Sequence, residues 1–195
     1  MKNLLKNRTA LSTVVTTLII LVVSVLLAGV VTYFAINVTS TRVQEESLNV
    51  LYQHVWYSTY ASPAGGAEAA IMLVNTGGRD VVVQKIAVRG QQVPWSNVYV
   101  YTPGANETLN ELYYANQTAA LDPVVNSLNN GTFASAAGSP LVLKSGSTIV
   151  IYVVSHVTSP PGSVTVNDVG LTIAISVFTA QATYYKETNV NAVPS

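Results

Sequence analysis

The N-terminal part of the chain carries its strongest hydrophobic pattern. Positions 9 to 41 contain no charged residue, and Leu18 to Ile36 is an almost unbroken apolar run. A run of about 20 apolar residues is long enough to cross a bilayer as a helix. Because this run is apolar on all sides rather than along one stripe, it predicts a helix that needs lipid or apolar protein around it.

The helical pattern continues past the apolar run into a polar stretch. Arg42 precedes Glu45 and Glu46 by three and four residues, a spacing that allows side-chain pairs on one helix face. We therefore predict one helix from Leu11 to about Ser47, with a length of about 55 Å. Its first two-thirds are apolar and its last third is amphipathic.

Beyond Ser47 the pattern changes to short strands that alternate with turns. Leu48–Ser62 fits both strand alternation and helical spacing, and its dense β-branched and aromatic residues favour a strand. Further strands are predicted at 70–74, 81–89, 98–101, 141–143, 148–154, 170–179 and 182–185. The glycine-containing turns Asn75–Gly78 and Lys144–Ser147 each predict a hairpin. The predicted class is α+β, with the helix followed by an antiparallel Ig-like β-sandwich.

The composition excludes several kinds of function. Charged residues make up only 9% of the chain, hydrophobic residues 49%, and the formal net charge is zero. No whole-chain field therefore attracts nucleic acid. Cysteine is absent, which rules out thiol nucleophiles and cysteine-ligated metal sites.

No residue pattern indicates catalysis. The two histidines, His54 and His156, lie far apart, and neither has a partner at a metal-ligand spacing. The acidic residues are scattered and form no pair suited to acid–base chemistry. We therefore expect no enzyme activity, no catalytic residue, no metal site and no cofactor.

Polar surface positions suggest modification rather than chemistry. Asn-x-Ser/Thr sequences at Asn106, Asn116 and Asn130 cluster in a long polar stretch, where a surface loop can accept a glycan. Asn37 begins another, but it lies in the predicted helix. These four are the candidate N-glycosylation sites.

Basic residues set the orientation of the apolar helix. Lys2, Lys6 and Arg8 precede it and no acidic residue does, so the positive-inside rule places the N-terminus in the cytoplasm. Three interpretations fit: a secretory signal peptide, an uncleaved anchor, and a short leader removed ahead of a retained helix. A secretory signal peptide is disfavoured, since the apolar region of such peptides is usually only about 7–15 residues long. A cut near Ala28 would also place Leu26 three positions back, where signal peptidase needs a small residue.

The residues around position 10 match one kind of leader. Lys6 to Ala10 (LysAsnArgThrAla) stands directly before Leu11 to Val15 (LeuSerThrValVal). A basic pair, a small residue and then an apolar helix resembles the class III signal peptides of archaeal type IV pilins and archaellins. Bacterial type IV pilins carry Glu at the fifth mature position, here Val15, whereas archaeal members commonly lack it. The strand, Asn-x-Gly turn and Val/Ile-rich strand within Ala70 to Gly90 more loosely resemble the globular domains of archaeal pilins.

The resemblance implies a processing site and a domain plan. A prepilin peptidase would cut between Ala10 and Leu11, with a cut after Thr9 as the alternative, and Arg8 would lie beside the cut. The chain would then divide into a leader (1–10), a transmembrane and filament-core helix (11–47) and an extracellular domain (48–195). Small residues such as Ser24, Ala28 and Gly29 would let neighbouring helices approach closely.

The function implied by the resemblance is structural. The chain would be a subunit of an archaeal type IV pilus-like surface filament for adhesion, assembled through a single-pass membrane intermediate. Its implied partners are the membrane, further copies of itself, the prepilin peptidase, a membrane assembly platform and a cytoplasmic assembly ATPase. Two alternatives stay open: a membrane-anchored extracellular binding or adhesion protein that does not polymerise, and an archaellin of the motility filament.

The processing hypothesis predicts the N-terminus of the mature protein. We expect surface-extracted protein to begin at Leu11, because the peptidase would cut after the small Ala10. N-terminal sequencing and intact mass measure this directly. A product that retains Met1 would favour the anchored alternative, and one that begins beyond Ile36 would exclude a retained helix.

Overall fold

The computed structural model describes residues 2–43, 45–58, 66–104, 109, 111–114, 133–138, 140–156 and 164–193. The chain divides into two compact units, Met1–Gln44 and Glu45–Ser195. The first unit is one helix, α1 (Lys2–Val43). The second is a β domain.

Helix α1 confirms the long predicted helix but ends sooner than predicted. It stops at Val43, and residues 45–47 are not helical and belong to the β domain. The Glu46 carboxylate accepts a hydrogen bond from the Thr179 hydroxyl. The predicted amphipathic last turn, with Arg42 and Glu46 on one helix face, is therefore wrong.

The β domain contains all eight predicted strands, several of them longer than the sequence indicated, and two further short strands. The strands are β1 (Leu48–Ser58), β2 (Gly66–Asn75), β3 (Val81–Val88), β4 (Gln91–Gln92), β5 (Val98–Tyr101), β6 (Ala134–Ser135), β7 (Leu141–Leu143), β8 (Thr148–His156), β9 (Thr172–Thr179) and β10 (Thr183–Ala192). Two short 3₁₀ helices lie at Trp95–Asn97 and Val166–Asp168.

All ten strands belong to one continuous sheet. Its order is β4-β3-β9-β10-β1-β2-β8-β5-β6, and β7 also pairs with β3. Every pair is antiparallel except β1 with β10, which is parallel at Val55–Val190 to Tyr57–Ala192. The α+β class with a mostly antiparallel sheet is confirmed, and the finer assignment to an Ig-like sandwich stays a prediction.

Two apolar cores cover the two faces of the central strands. Along β2 the side chains alternate: Ile71 and Leu73 lie in the inner core, whereas Ala70 and Met72 lie in the outer core. Strand β8 alternates in the same way. Since both strands are buried on both faces, their sequences are nearly continuous apolar runs.

The inner core curls the sheet. It contains Ile71 from β2 and Ile151 from β8, together with Ile86 from β3 and Val177 from β9. These strands lie in different halves of the strand order. Their side chains can share one core only because the sheet bends round on itself, as in a half-barrel.

A β-bulge in β1 explains why its sequence was ambiguous. The pairing with β2 shifts between Leu51 and His54, and Tyr52 has a positive φ of 50°. The extra residue reverses the alternation, so that Val50 and Val55 both reach the inner core while Trp56 lies in the outer core. The strand predicted within Leu48–Ser62 is confirmed, but its alternation is interrupted at this bulge.

The two glycine-containing turns do not close hairpins. Strand β2 pairs with β1 and β8, whereas β3 pairs with β4, β7 and β9. In the same way β7 pairs with β3, and β8 with β2 and β5. Each turn therefore carries the chain from one half of the sheet to the other, and the predicted local hairpins are wrong. Burial of both flanking runs in the shared inner core decides the pairing.

Asn75, which is fully buried, holds the two crossing turns together. Its Nδ2 donates to the carbonyl oxygens of Arg79 at 2.8 Å and Leu143 at 3.1 Å, and its Oδ1 accepts from the Gly77 amide at 3.0 Å. Its own backbone exchanges two further hydrogen bonds with the 144–147 turn, both 3.0 Å long. The side chain thus satisfies three backbone groups in two separate segments, the turn after β2 and the end of β7.

Replacing Asn75 by Ala should destabilise the β domain strongly. The change leaves two carbonyls and one amide without their side-chain partner, and each such buried group costs about 1–3 kcal/mol. We expect a loss of about 3 kcal/mol in the free energy of unfolding, measured by denaturant titration in detergent micelles with the fluorescence of Trp56 and Trp95. The exposed Asn191→Ala is the matched control; equal losses in both variants would contradict this role of Asn75.

Candidate functional site

The apolar surface of α1 is the most conspicuous feature of the first unit. Between Leu11 and Val38, eighteen large apolar side chains are 45–70% exposed. The helix over Leu11–Thr41 is the one helix among the described residues that is long and apolar enough to cross a membrane, with a mean hydropathy of 2.9. At ~1.5 Å per residue it is about 46 Å long, which exceeds the ~30 Å hydrocarbon core of a bilayer.

The polar side chains of this segment are compatible with an apolar environment. The hydroxyls of Thr16, Ser24, Thr32 and Thr41 each donate to the carbonyl oxygen four residues earlier, at 2.7–2.9 Å. That of Thr17 donates to the carbonyl three residues earlier. Hydroxyl groups satisfied within their own helix carry a smaller penalty for leaving water.

The predicted packing residues lie in the middle of this surface. Ser24 and Ala28 are four residues apart and so lie on one face of α1, with Gly29 next to them. A Cβ atom built on Gly29 would meet nothing within 4 Å. The small side chains of these three residues form a shallow depression on the helix surface, where a second helix can approach closely.

The predicted processing site lies within the same helix. Arg8, Ala10 and Leu11 are all part of α1, which continues without a break through the predicted cut. The Leu11 side chain is 70% exposed. The structure therefore leaves the cleavage between Ala10 and Leu11 as a prediction.

The candidate glycosylation sites fall in two places. Asn37 is exposed on α1, inside the apolar segment, and its carbonyl accepts from the Thr41 hydroxyl at 2.9 Å. Asn106, Asn116 and Asn130 lie outside the described residues. Glycan occupancy stays a prediction for all four.

The β domain begins with a short segment that is bonded to several strands. The Ser47 carbonyl accepts from the amides of Thr76 at 2.9 Å and Gly77 at 3.1 Å, and the hydroxyls of Ser47 and Thr76 lie 3.0 Å apart. The Leu48 amide donates to the Tyr184 hydroxyl at 3.2 Å. We call residues 45–48 the entry segment.

Gly77 allows the entry segment to lie this close. A Cβ atom at Gly77 would be 2.7 Å from the Glu45 carbonyl oxygen and 2.7 Å from the Ser47 nitrogen. Its φ is not among the positive ones that a tight hairpin turn requires. The glycine is needed for close backbone approach, not for an unusual backbone conformation.

A buried acidic residue that sequence reasoning missed lies in the 3₁₀ helix Val166–Asp168. The Oδ2 atom of Asp168 accepts from the Thr165 amide at 2.7 Å, from the Thr165 hydroxyl at 2.9 Å and from Arg89 at 2.8 Å. The Thr165 amide, followed by the Thr165 hydroxyl and the Arg89 guanidinium, lowers the pKa of Asp168. The Thr-x-x-Asp spacing, typical of a capping box, is the sequence feature that could have indicated this role of Asp168.

A second missed acidic residue lies in the outer core. Glu68 is only 1% exposed, although it stands inside the apolar run of β2. Burial raises the pKa of the Tyr152 hydroxyl, and the Glu68 charge raises it further. The Tyr152 hydroxyl donates to the Tyr113 carbonyl at 2.9 Å, which ties residues 111–114 to the sheet. The position of Glu68 inside an apolar run is the sequence feature that could have indicated a buried carboxyl group.

The described side chains show no arrangement typical of a metal site. The ring of His54 stacks on Trp56 with centroids 5.2 Å apart, and the side chain of His156 lies outside the described part. Within that described part, no three His, Asp or Glu residues are placed to hold a metal ion. The ring stacking is the role the structure gives His54.

Comparison with known proteins adds no family assignment. The chain matches no protein-family model, and no curated protein is significantly similar to it in sequence. The function proposed below therefore rests on the residues and on their arrangement.

Asp168 predicts an acid-dependent loss of stability. Because its pKa is lower in the folded protein, its ionised form stabilises the fold above the unfolded pKa of about 4. That contribution should disappear as the pH falls below about 4. Denaturation midpoints between pH 6 and pH 2 should fall less steeply for Asp168→Asn than for the wild type, whereas the exposed control Glu187→Gln should follow the wild type. Parallel curves for Asp168→Asn and wild type would contradict this.

Proposed function

We propose that the chain is a structural subunit of an archaeal type IV pilus-like surface filament in which α1 is the assembly surface. The observation that carries the proposal is the continuous exposed apolar surface over Leu11–Thr41, none of it buried within the chain. Such a surface needs either lipid or other apolar helices around it. A filament subunit uses both in turn: lipid before assembly and neighbouring helices afterwards.

The energetics fit a reversible exchange between these two environments. Burying roughly 15 large aliphatic side chains at ~1.5 kcal/mol each holds subunits together strongly once they are outside the bilayer. Moving the same side chains from lipid into a filament core gains far less, because lipid is as apolar as leucine. Extraction from the membrane therefore needs an external energy source, for which a cytoplasmic assembly ATPase and a membrane platform are the proposed partners.

The β domain is the proposed extracellular part, and adhesion is its proposed role. Three basic residues, Lys2, Lys6 and Arg8, lie close before the apolar segment and one, Arg42, lies close after it. This excess on the N-terminal side favours a cytoplasmic N-terminus and an extracellular β domain. The shared inner core of β2, β8, β3 and β9 supports the proposal that the two halves of the curled sheet act as the layers of an Ig-like, pilin-like domain. Its stability does not need disulfides, since the chain has no cysteine.

The packing role of α1 can be tested with two neighbouring substitutions. Gly29→Leu adds bulk where helices are proposed to meet while keeping the segment apolar, so membrane insertion should persist. Filament yield should fall at least tenfold, because overpacking a close helix contact costs about 1–3 kcal/mol. Electron microscopy and mass spectrometry of sheared surface filaments measure the yield, and immunoblots of membranes measure insertion.

Val30→Leu is the matched control, since it enlarges the neighbouring residue only slightly and should leave filaments intact. Unchanged filaments in Gly29→Leu would place the contact elsewhere on α1. Wild-type protein found at the membrane and never in filaments would favour the anchored, non-polymerising alternative. Filaments whose loss abolishes swimming would identify an archaellin.

A further inference from the structure

The entry segment is the covalent route by which force on α1 reaches the β domain. Residues 45–47 connect the helical unit to β1, which begins at Leu48. The ladder between β1 and β2 starts at the pair Leu48–Asn75. Any pull transmitted along the chain from α1 therefore acts on the bonds of the entry segment before it acts on this ladder.

Those bonds connect the segment to three elements of the domain: the 75–78 turn, β9 and β10. The Ser47 carbonyl binds the 75–78 turn through two amides, and the Glu46 carboxylate accepts from the Thr179 hydroxyl at the end of β9. The Tyr184 hydroxyl on β10 accepts from the Leu48 amide at 3.2 Å. Burial raises the pKa of Tyr184 and the nearby Glu46 carboxylate adds to the rise, so the Tyr184 hydroxyl stays protonated near neutral pH.

The elements that hold the segment are themselves well supported. The 75–78 turn is anchored by the buried Asn75 side chain, and the Ser145 hydroxyl donates to the Gly77 carbonyl at 2.7 Å. Strand β1 is not an edge strand, because it lies between β2 and β10. Removing β1 from the domain therefore requires breaking hydrogen bonds along both of its sides.

We infer that the entry segment is a mechanical clamp, in which the bonds of Glu46, Ser47 and Leu48 delay unfolding when tension arrives through α1. Bonds that share a load fail together rather than in sequence, and forced unfolding is governed by the barrier to unfolding rather than by equilibrium stability. The biological role of the clamp rests on the proposed function, since an adhesive filament transmits tension between its helix and its extracellular domain.

Pulling on single molecules tests the clamp. The chain has no cysteine, so Thr41→Cys and Ser195→Cys give unique handles for optical tweezers on the full chain in detergent micelles. At constant force, Tyr184→Phe should shorten the folded lifetime about fivefold, as expected for the loss of one hydrogen bond. The neighbouring Tyr185→Phe, which removes an exposed hydroxyl bonded to Glu187, should leave the lifetime unchanged.

A second pulling geometry separates a clamp from general stability. Handles at the exposed positions Gln92 and Tyr113 bypass the entry segment, and there Tyr184→Phe should change the lifetime less than twofold. Equal shortening in both geometries would overturn the inference, because the bond would then support the fold without resisting force on α1. Glu46→Ala provides a second clamp variant, and no shortening in either variant would also overturn it.

The outcome for the clamp is separable from the outcome for the filament. The pulling experiment uses single chains, so it gives the same answer whether or not the protein polymerises. Absence of wild-type filaments would defeat the proposed function and leave the measured lifetimes standing. Normal filaments with a clamp that fails the two-geometry comparison would defeat only the clamp.

Discussion

The apolar surface of α1 is the constraint on which the rest of the interpretation depends. Its large apolar side chains are 45–70% exposed, and several of its hydroxyls bond to carbonyls of their own helix. Water is therefore a poor environment for it, and lipid or other helices are good ones. Both environments are available to a filament subunit, which is why we propose that function for the chain.

The β domain meets a different requirement, namely stability without disulfides. It does so by burying its central strands on both faces, with an inner core shared by both halves of the sheet and an outer core rich in aromatic side chains. The strands at the ends of the sheet order, β4 and β6, have only two residues each. Edges this short offer little template for unwanted strand pairing.

Buried and half-buried polar residues connect distant segments of the chain. Asn75 joins two crossing turns, Asp168 joins Thr165 to Arg89, and Glu46 joins the start of the domain to β9. Each satisfies groups that water would otherwise have to reach. The entry segment combines several such contacts at the point where the helical unit ends, and this concentration underlies the proposed clamp.

The sequence alone determined the helix, most of the strands and the residues of the candidate assembly surface. Those features depend on local periodicity and on the length of an apolar run, which need no knowledge of the fold. The tertiary structure decided which strands pair, where the bulge at Tyr52 reverses the alternation, and which partners Glu46, Asn75 and Asp168 find. Turn residues such as Asn75–Gly78 indicate only that the chain turns. Whether it returns beside the same strand depends on burial against residues far away in the chain, and no local pattern records that.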